Sequence, residues 1–342
     1  MKFIKYPLLI INVILVLIMF IAYLSSFISP EVNQIVPIFG LFYPILFFLL
    51  VAFAIFWLLT KWTYSLISIA ALLIGFSSAQ RFMNFGTEQV IKSEQIIHVA
   101  SYNLASGLSV RSKDREYFYS FLEKYFGEGV AFFQESNSKI IEELRTRFPK
   151  HEIIKFKHKR AILMSKYPVI RSSFLNFQNN SNVVIWADIN FNGTTIRVYS
   201  VHLHSNGVTY LAEDVRSSGE IGDPKTWDRV KQMMRKYSDA TSKRNQQLQS
   251  LLEDIERVNY PVIVGGDFND VPQSYLYTSI SDKLQDSFTE KGFGLGTSFN
   301  GSIPALRIDY IFSDKSLKVL NYKTHRVPYS DHFPITSDIL IR

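Results

Sequence analysis

The chain has 342 residues, 47% of them hydrophobic, with a mean hydropathy of +0.06, which is high for a wholly water-soluble protein and predicts that part of the chain lies in lipid. It contains no cysteine, which excludes a disulfide framework, a thiolate metal site and a cysteine nucleophile. The net charge of +7 favours polyanionic partners, but Lys2, Lys5, Lys61 and Arg81 against Glu31 place +3 of it in residues 1–83, so the remainder is only mildly basic.

Leu8 to Ile28 is almost wholly apolar and long enough to cross a bilayer core as a helix. Uncharged runs from Val32 to Thr60 and from Trp62 to Gln80 follow, so three transmembrane helices are predicted. Pro37, Gly40 and Pro44 mark the entry to the second span, and Lys61 with Trp57, Trp62 and Tyr64 marks an aromatic-belted turn before the third. A cleaved signal peptide is disfavoured by the length of the first run and by the absence of a small-x-small site before Pro30. Lys2, Lys5 and Lys61 place the N-terminus on the cytoplasmic side. Three crossings then put the rest on the outer face, which in a bacterial inner membrane is the periplasmic side. The expected organisation is a membrane domain over 1–83, a linker over 84–95 and a soluble domain over 96–342.

The soluble domain alternates short β-type runs with amphipathic stretches, as mixed α/β or α+β domains do. Strands are predicted at Ile96–Leu104, Val130–Gln134, Ala161–Ser165, Val169–Leu175, Val183–Asn190, Thr195–His202, Val262–Gly265, Leu306–Phe312 and Ile335–Ile341. Asn192-Gly193 makes a hairpin turn, and a loop with Gly107 follows the first strand. Helices are predicted at Tyr117–Phe126, Lys139–Arg147, near Lys225–Tyr237 and at Lys243–Val258. Lys150–Arg160 reads as the solvated face of a strand or a contact for phosphate or headgroups, and Gly292–Gly301 as irregular. The long polar excursion Asn206–Ser242 is a candidate lid or substrate-selecting element.

Several of these strands end in polar side chains. Val262–Gly265 empties into Gly266-Asp267-Phe268-Asn269, where Asp267 and Asn269 project the same way in an extended chain. Asn103, Glu135 and His202 stand at three other strand ends, and Asp309 is a charge inserted in an apolar strand, which must be paired. Any one of these alone also fits a turn, a helix N-terminal acid or a structural histidine.

Taken in order, Ser101-Tyr102-Asn103, Phe133-Gln134-Glu135, His202-Leu203-His204-Ser205, Gly266-Asp267-Phe268-Asn269, Arg307-Ile308-Asp309-Tyr310-Ile311 and Ser330-Asp331-His332-Phe333-Pro334 resemble the motifs of the endonuclease/exonuclease/phosphatase superfamily, the DNase I-like fold. The resemblance covers about residues 96–342 and none of the membrane part. It implies a four-layer αββα sandwich of two mixed β-sheets and hydrolysis of phosphate esters with Mg²⁺ or Mn²⁺. Carried over by position, Glu135 would be the principal metal ligand, with Asn103 nearby and Asp331 beside the metal. Asp267 would orient or deprotonate water, Asn269 would hold the phosphoryl oxygen, and His332, held by Asp309, would contact the phosphate or move a proton. His202 would donate to the phosphate or leaving group, and His204 would be structural. The DNA-repair branch has a carboxylate two residues after the first motif's Asn; here that position is Ala105, which favours the sphingomyelinase-like phosphodiesterases. The partners implied are the lipid bilayer and a phosphate-ester substrate, nucleic acid or phospholipid, with no protein partner predicted. A non-catalytic membrane-anchored binding or scaffold module on the same fold is the alternative.

Overall fold

The computed structural model describes residues 2–105, 114–177, 182–205, 223–301 and 305–341. The predicted loop beyond Ala105 with Gly107, and the part of the polar excursion over 206–222, lie outside the described residues. The chain forms two compact units, one within Met1–Met83, Asn206–Asn245 and Asp270–Ser279, the other within Asn84–Ser205, Gln246–Asn269 and Ile280–Arg342.

The first unit begins with α1 (Lys2–Leu24), α2 (Val36–Leu41), α3 (Tyr43–Thr60), α4 (Trp62–Ile74) and α5 (Phe76–Phe82). Two helices, Lys5–Leu24 and Tyr43–Thr60, are long and apolar enough to cross a membrane, and α4 with α5 makes a third if the pair, bent by 66°, is one span. The second apolar run is therefore not one helix. It breaks at Phe42, and Pro44, which lacks an N–H to donate, sits in the first turn of α3 where none is needed. The bend between α4 and α5 falls at Gly75, where a Cβ would lie 2.0 Å from the Tyr23 ring. Tyr23 donates its hydroxyl to the Ala71 carbonyl at 3.0 Å, and Ser68 donates to Asn12 Oδ1 at 2.8 Å, so α1 and α4 are joined by polar contacts between apolar faces.

The two helices predicted after residue 224 are one, α8 (Pro224–Glu256). The polar stretch Ser238–Ser242 reads as a break, but Thr241 returns its hydroxyl to the Tyr237 carbonyl at 2.8 Å, and Tyr237, Ala240 and Thr241 are buried, so the helix continues through it.

The second unit contains β1 (Asn84–Phe85), β2 (Ile96–Asn103), α6 (Arg115–Phe126), β3 (Val130–Gln134), α7 (Ser138–Arg147), β4 (Glu152–Ile154), β5 (Ile162–Ser165), β6 (Val169–Leu175), β7 (Val183–Phe191), β8 (Thr194–His202), β9 (Val262–Asp267), β10 (Leu284–Asp286), α10 (Ser287–Lys291), β11 (Phe293–Gly294), β12 (Asp309–Asp314), β13 (Lys318–Thr324) and β14 (Ile335–Leu340). In the chain α9 (Tyr275–Ser281) follows β9, and most of it belongs to the first unit. Two six-stranded mixed sheets have the orders β10-β12-β9-β8-β7-β6 and β13-β14-β2-β3-β5-β4. Side chains of β2 and β3 alternate between two cores. Ile97, Val99, Val130 and Phe132 meet Val183, Ile185, Ile263 and Ile311 of the other sheet, while Ala100, Tyr102, Ala131 and Phe133 meet Phe118, Leu122, Ile141 and Leu144 of α6 and α7. Burial on both faces is why these strands read as continuous apolar runs. The result is the predicted αββα sandwich.

Candidate active site

The pairing of the strands assembles the site. Parallel β8 and β9 oppose His202 to Asp267, and antiparallel β9 and β12 oppose Asp267 to Asp309, so three polar side chains stand at adjoining strand ends. Gly266 makes this possible: its φ is +149° and a Cβ there would lie 2.0 Å from the Val201 carbonyl oxygen. In the other sheet Asn103 ends β2 opposite Gln134 of β3. Glu135 follows with φ +51°, an uncommon conformation for a residue with a side chain and one that recurs at functional sites. His332 arrives from the segment before β14, bridged to Phe299 and holding Ser330 Oγ through its backbone N–H at 3.1 Å.

Asp267 is the hub. Its Oδ2 accepts from Asn103 Nδ2 at 2.9 Å and from Asn269 Nδ2 at 3.0 Å, and its Oδ1 accepts from the Asn269 backbone N–H at 2.8 Å. His332 Nδ1 lies 2.9 Å from Asp309 Oδ2, and its Nε2 lies 3.9 Å from Asp267 Oδ2. His202 Nε2 lies 4.0 Å from Asp267 Oδ2 and 3.9 Å from Glu135 Oε1. Arg160, from the basic run, stands 4.0 Å from Glu135 Oε2. Asp331 is the outlier. It is exposed, and its carboxylate lies 3.2 Å from Ser330 Oγ, although its charge still acts on His332.

Burial pushes the Asp267 carboxyl up to about 6; the Asp309 charge adds to this, while His332, His202 and the Asn103 hydrogen bond oppose it. Burial alone lowers His332, but the charges of Asp309 and Asp267 and the Asp309 hydrogen bond outweigh it and lift the imidazole to about 10. Burial lowers His202. At neutral pH the site therefore holds the His332 imidazolium facing the Asp267 carboxylate, with His202 as a neutral imidazole. With saturating metal, kcat/KM is expected to rise with pH as Asp267 loses its proton, on a limb that the bound cation moves below the value of about 6 set by burial. Because the His332 cation holds Asp267 down, the residual activity of His332→Gln should show this limb at higher pH, and a pH–rate profile of both proteins checks the sign.

Asp267, Asp309 and His332 each present a potential ligand atom within 4.8 Å of the others. As an imidazolium, however, His332 has no lone pair for a metal, so it is the carboxylate oxygens that suit a hard divalent cation. Asp309 Oδ1 and both ring nitrogens of His202 are buried with no hydrogen-bond partner among the described residues, an arrangement that is costly unless a cation, water or phosphate oxygen completes it.

Sequence reasoning did not find the groups that hold these side chains in place. Ser298 Oγ accepts the Ile308 and Asp309 N–H groups, each at 3.0 Å, which starts β12 at Asp309 rather than at the predicted Leu306. Ser330 Oγ donates to the Asn103 carbonyl at 2.8 Å. The Leu203 carbonyl accepts from both Asn182 and Asn269, at 2.8 and 3.1 Å. Ser298 and Asn182 stand in no pattern that marks them in the sequence, and Ser330, although it opens the last motif, gives no sign there of its bond to the first.

A family profile described as the Endonuclease/Exonuclease/phosphatase family matches residues 100–332. A second, described as a domain of unknown function (DUF8431), matches residues 2–82. No curated protein matches the chain. Among solved structures, the chain is similar to an endonuclease/exonuclease/phosphatase from Bacteroides vulgatus, at 16% identity and TM-score 0.51 over 73% of this chain and 100% of that one. It is similar to D. rerio TDP2 complexed with a single-strand DNA product, at 16% identity and TM-score 0.52 over 71% and 98%. It is also similar to the human Nocturnin catalytic domain with bound sulfate anion, at 17% identity and TM-score 0.50 over 73% and 96%. At such identities these likenesses establish the fold.

Proposed function

The chain belongs to the endonuclease/exonuclease/phosphatase family, whose members hydrolyse phosphoester bonds, and from that premise we propose that it is a membrane-anchored, Mg²⁺- or Mn²⁺-dependent phosphoesterase. Its substrate in this reading is a phosphodiester or phosphomonoester of a phospholipid headgroup or a nucleic acid. The observation that carries it is the buried Asp267 carboxylate, held by two asparagines and facing a His332–Asp309 pair.

Each residue takes a role that its surroundings support. Asp267 has a raised pKa and two amide donors on one oxygen, which suits a group that orients the attacking water and takes its proton. The His332 imidazolium, fixed at Nδ1 by Asp309, leaves Nε2 to donate to a phosphoryl oxygen as charge builds. Asn269 and His202 lie beside Asp267 and would add donors on the same oxygens. Glu135, with Asn103 next to it and Asp331 on the outer rim, would hold the cation. When bound, that cation supplies charge neutralisation at the phosphoryl oxygens. Residues 1–83 anchor the chain, with the catalytic unit on the outer, periplasmic side.

The test is hydrolysis by the purified full-length chain of a panel of nucleic acids, sphingomyelin-type and glycerophospholipids, inositol phosphates and nucleotides. Activity with Mg²⁺ or Mn²⁺ on one class, abolished by chelator and restored by the metal, is expected. A folded protein that hydrolyses none of them and gives no heat of Mg²⁺ or Mn²⁺ binding overturns the assignment in favour of a non-catalytic module.

A further inference from the structure

Within the first unit, α8 is docked on the segment between α1 and α3. Ser238 donates to the Gln34 carbonyl at 2.7 Å and Asn245 Nδ2 to Glu31 Oε1 at 3.2 Å. Nearby, Ser25 donates to the Gln273 carbonyl, and Gln273 Nε2 donates to the Ser78 carbonyl at 3.0 Å. These contacts impose a parity on the membrane crossings. The segment 25–35 follows one crossing, and residues 223–245 can touch it only if the number of further crossings is even, which α3 followed by the bent pair α4–α5 satisfies when that pair is one span. The N-terminal half of α8 therefore rests on the loop that emerges directly from the first span, at the edge of the bilayer.

The surface there has the chemistry of that boundary. Val32 and Ile35 are 82% and 65% exposed, and Trp227 on α8 is 53% exposed. Lys225, Arg229, Lys231, Arg235 and Lys236 stand against Asp228 over one stretch of helix. A groove of about 540 Å³ runs between the two segments, with Ile35, Ile38 and Met234 as its apolar wall, Lys231 and Arg235 as its cations, and Asp239 at its edge. Asp228 lies 3.9 Å from Lys231, but both side chains are at least 70% exposed, so that pair does not neutralise the site.

We propose that this groove is a binding site for an anionic phospholipid, separate from the catalytic residues. Lys231 and Arg235 take the headgroup phosphate, and Ile35, Ile38 and Met234 take the upper part of the acyl chains. Charge complementarity and continuity with the first span point to a bilayer lipid rather than to a soluble phosphate. The inference rests on the membrane-anchored part of the function proposed above and not on its chemistry.

The test uses the full-length protein in mild detergent, titrated with dioleoylphosphatidylglycerol or dioleoylphosphatidylcholine and read by native mass spectrometry of the adducts. A preference of roughly tenfold or more for phosphatidylglycerol is expected. It should be lost in the Lys231→Gln, Arg235→Gln double variant, with thermal midpoint and hydrolysis of a soluble ester unchanged. Equal retention of the two lipids, a preference that survives the double variant, or displacement of phosphatidylglycerol by millimolar inorganic phosphate overturns it. The chain has no native cysteine, so Val32→Cys and Trp227→Cys can each be labelled in sealed vesicles with a membrane-impermeant maleimide. Labelling from opposite sides refutes the membrane arrangement itself, whereas same-side labelling without a lipid preference refutes the groove alone.

Discussion

His332→Gln lowers metal-saturated phosphoester hydrolysis by about 10²–10⁴-fold, the range for losing a positioned proton donor, while the folded structure persists. Glutamine keeps a donor for Asp309, so the buried carboxylate is not stripped of its only described hydrogen-bond partner, but it removes the imidazolium that faces Asp267. Asp267→Ala should lose at least as much, since it removes the acceptor on which Asn103 and Asn269 converge. Asp309 is a positioning residue for His332, so Asp309→Asn should lower kcat with little change in KM. Loss of the high-pH imidazolium, followed by NMR titration of the His332 ring, separates this role from a merely structural one. Circular dichroism establishes that each variant is folded. Unchanged turnover in His332→Gln or Asp267→Ala sinks the catalytic assignment.

What the sequence discloses about this site follows from how the site is built. Asp267, Asp309 and His202 end strands whose apolar interiors are buried on both faces, so a polar side chain there is conspicuous against Val262–Gly265 or Thr195–Val201. The register that joins them is not written in any one strand. It depends on a parallel β8–β9 pairing and on the Gly266 close approach, which become visible only when the strands are paired. Asp331 illustrates the converse, because its neighbour His332 is buried while it is exposed, and adjacency in sequence does not separate the two. Strand β13 leaves no clear signal in the sequence because it is an edge strand with lysines near both ends and a register shift between Val319 and Asn321, which breaks the alternation. The unity of α8 was hidden for a different reason. Serine and threonine near its middle favour a break by propensity, and burial with hydroxyl back-bonding overrides it.

Arg307→Ala should destabilise the protein by about 3–5 kcal/mol, the cost of leaving one half of a buried ion pair. Arg307 and Asp286 are each 1% exposed and 2.6 Å apart, and Asp286 also caps α10 by accepting the Phe288 N–H at 3.0 Å. The guanidinium lies 4.4 Å from the centre of the Phe288 ring and 4.6 Å from that of Tyr310, so truncation removes packing as well as charge. For a unit of this size the loss corresponds to a fall in thermal midpoint of roughly 6–20 °C. Arg307→Met combined with Asp286→Asn removes both charges and keeps an acceptor for the cap, so it should recover much of the loss, because the dominant cost is the uncompensated carboxylate. Arg307 also lies two residues before Asp309, and its carbonyl accepts the Tyr310 hydroxyl at 2.8 Å, which ties the start of β12 to this pair. Below its lowered midpoint, Arg307→Ala should therefore keep KM while losing activity only as it unfolds. A midpoint within about 2 °C of the parent protein would show that the pair contributes nothing to holding β12, and with it Asp309, in place.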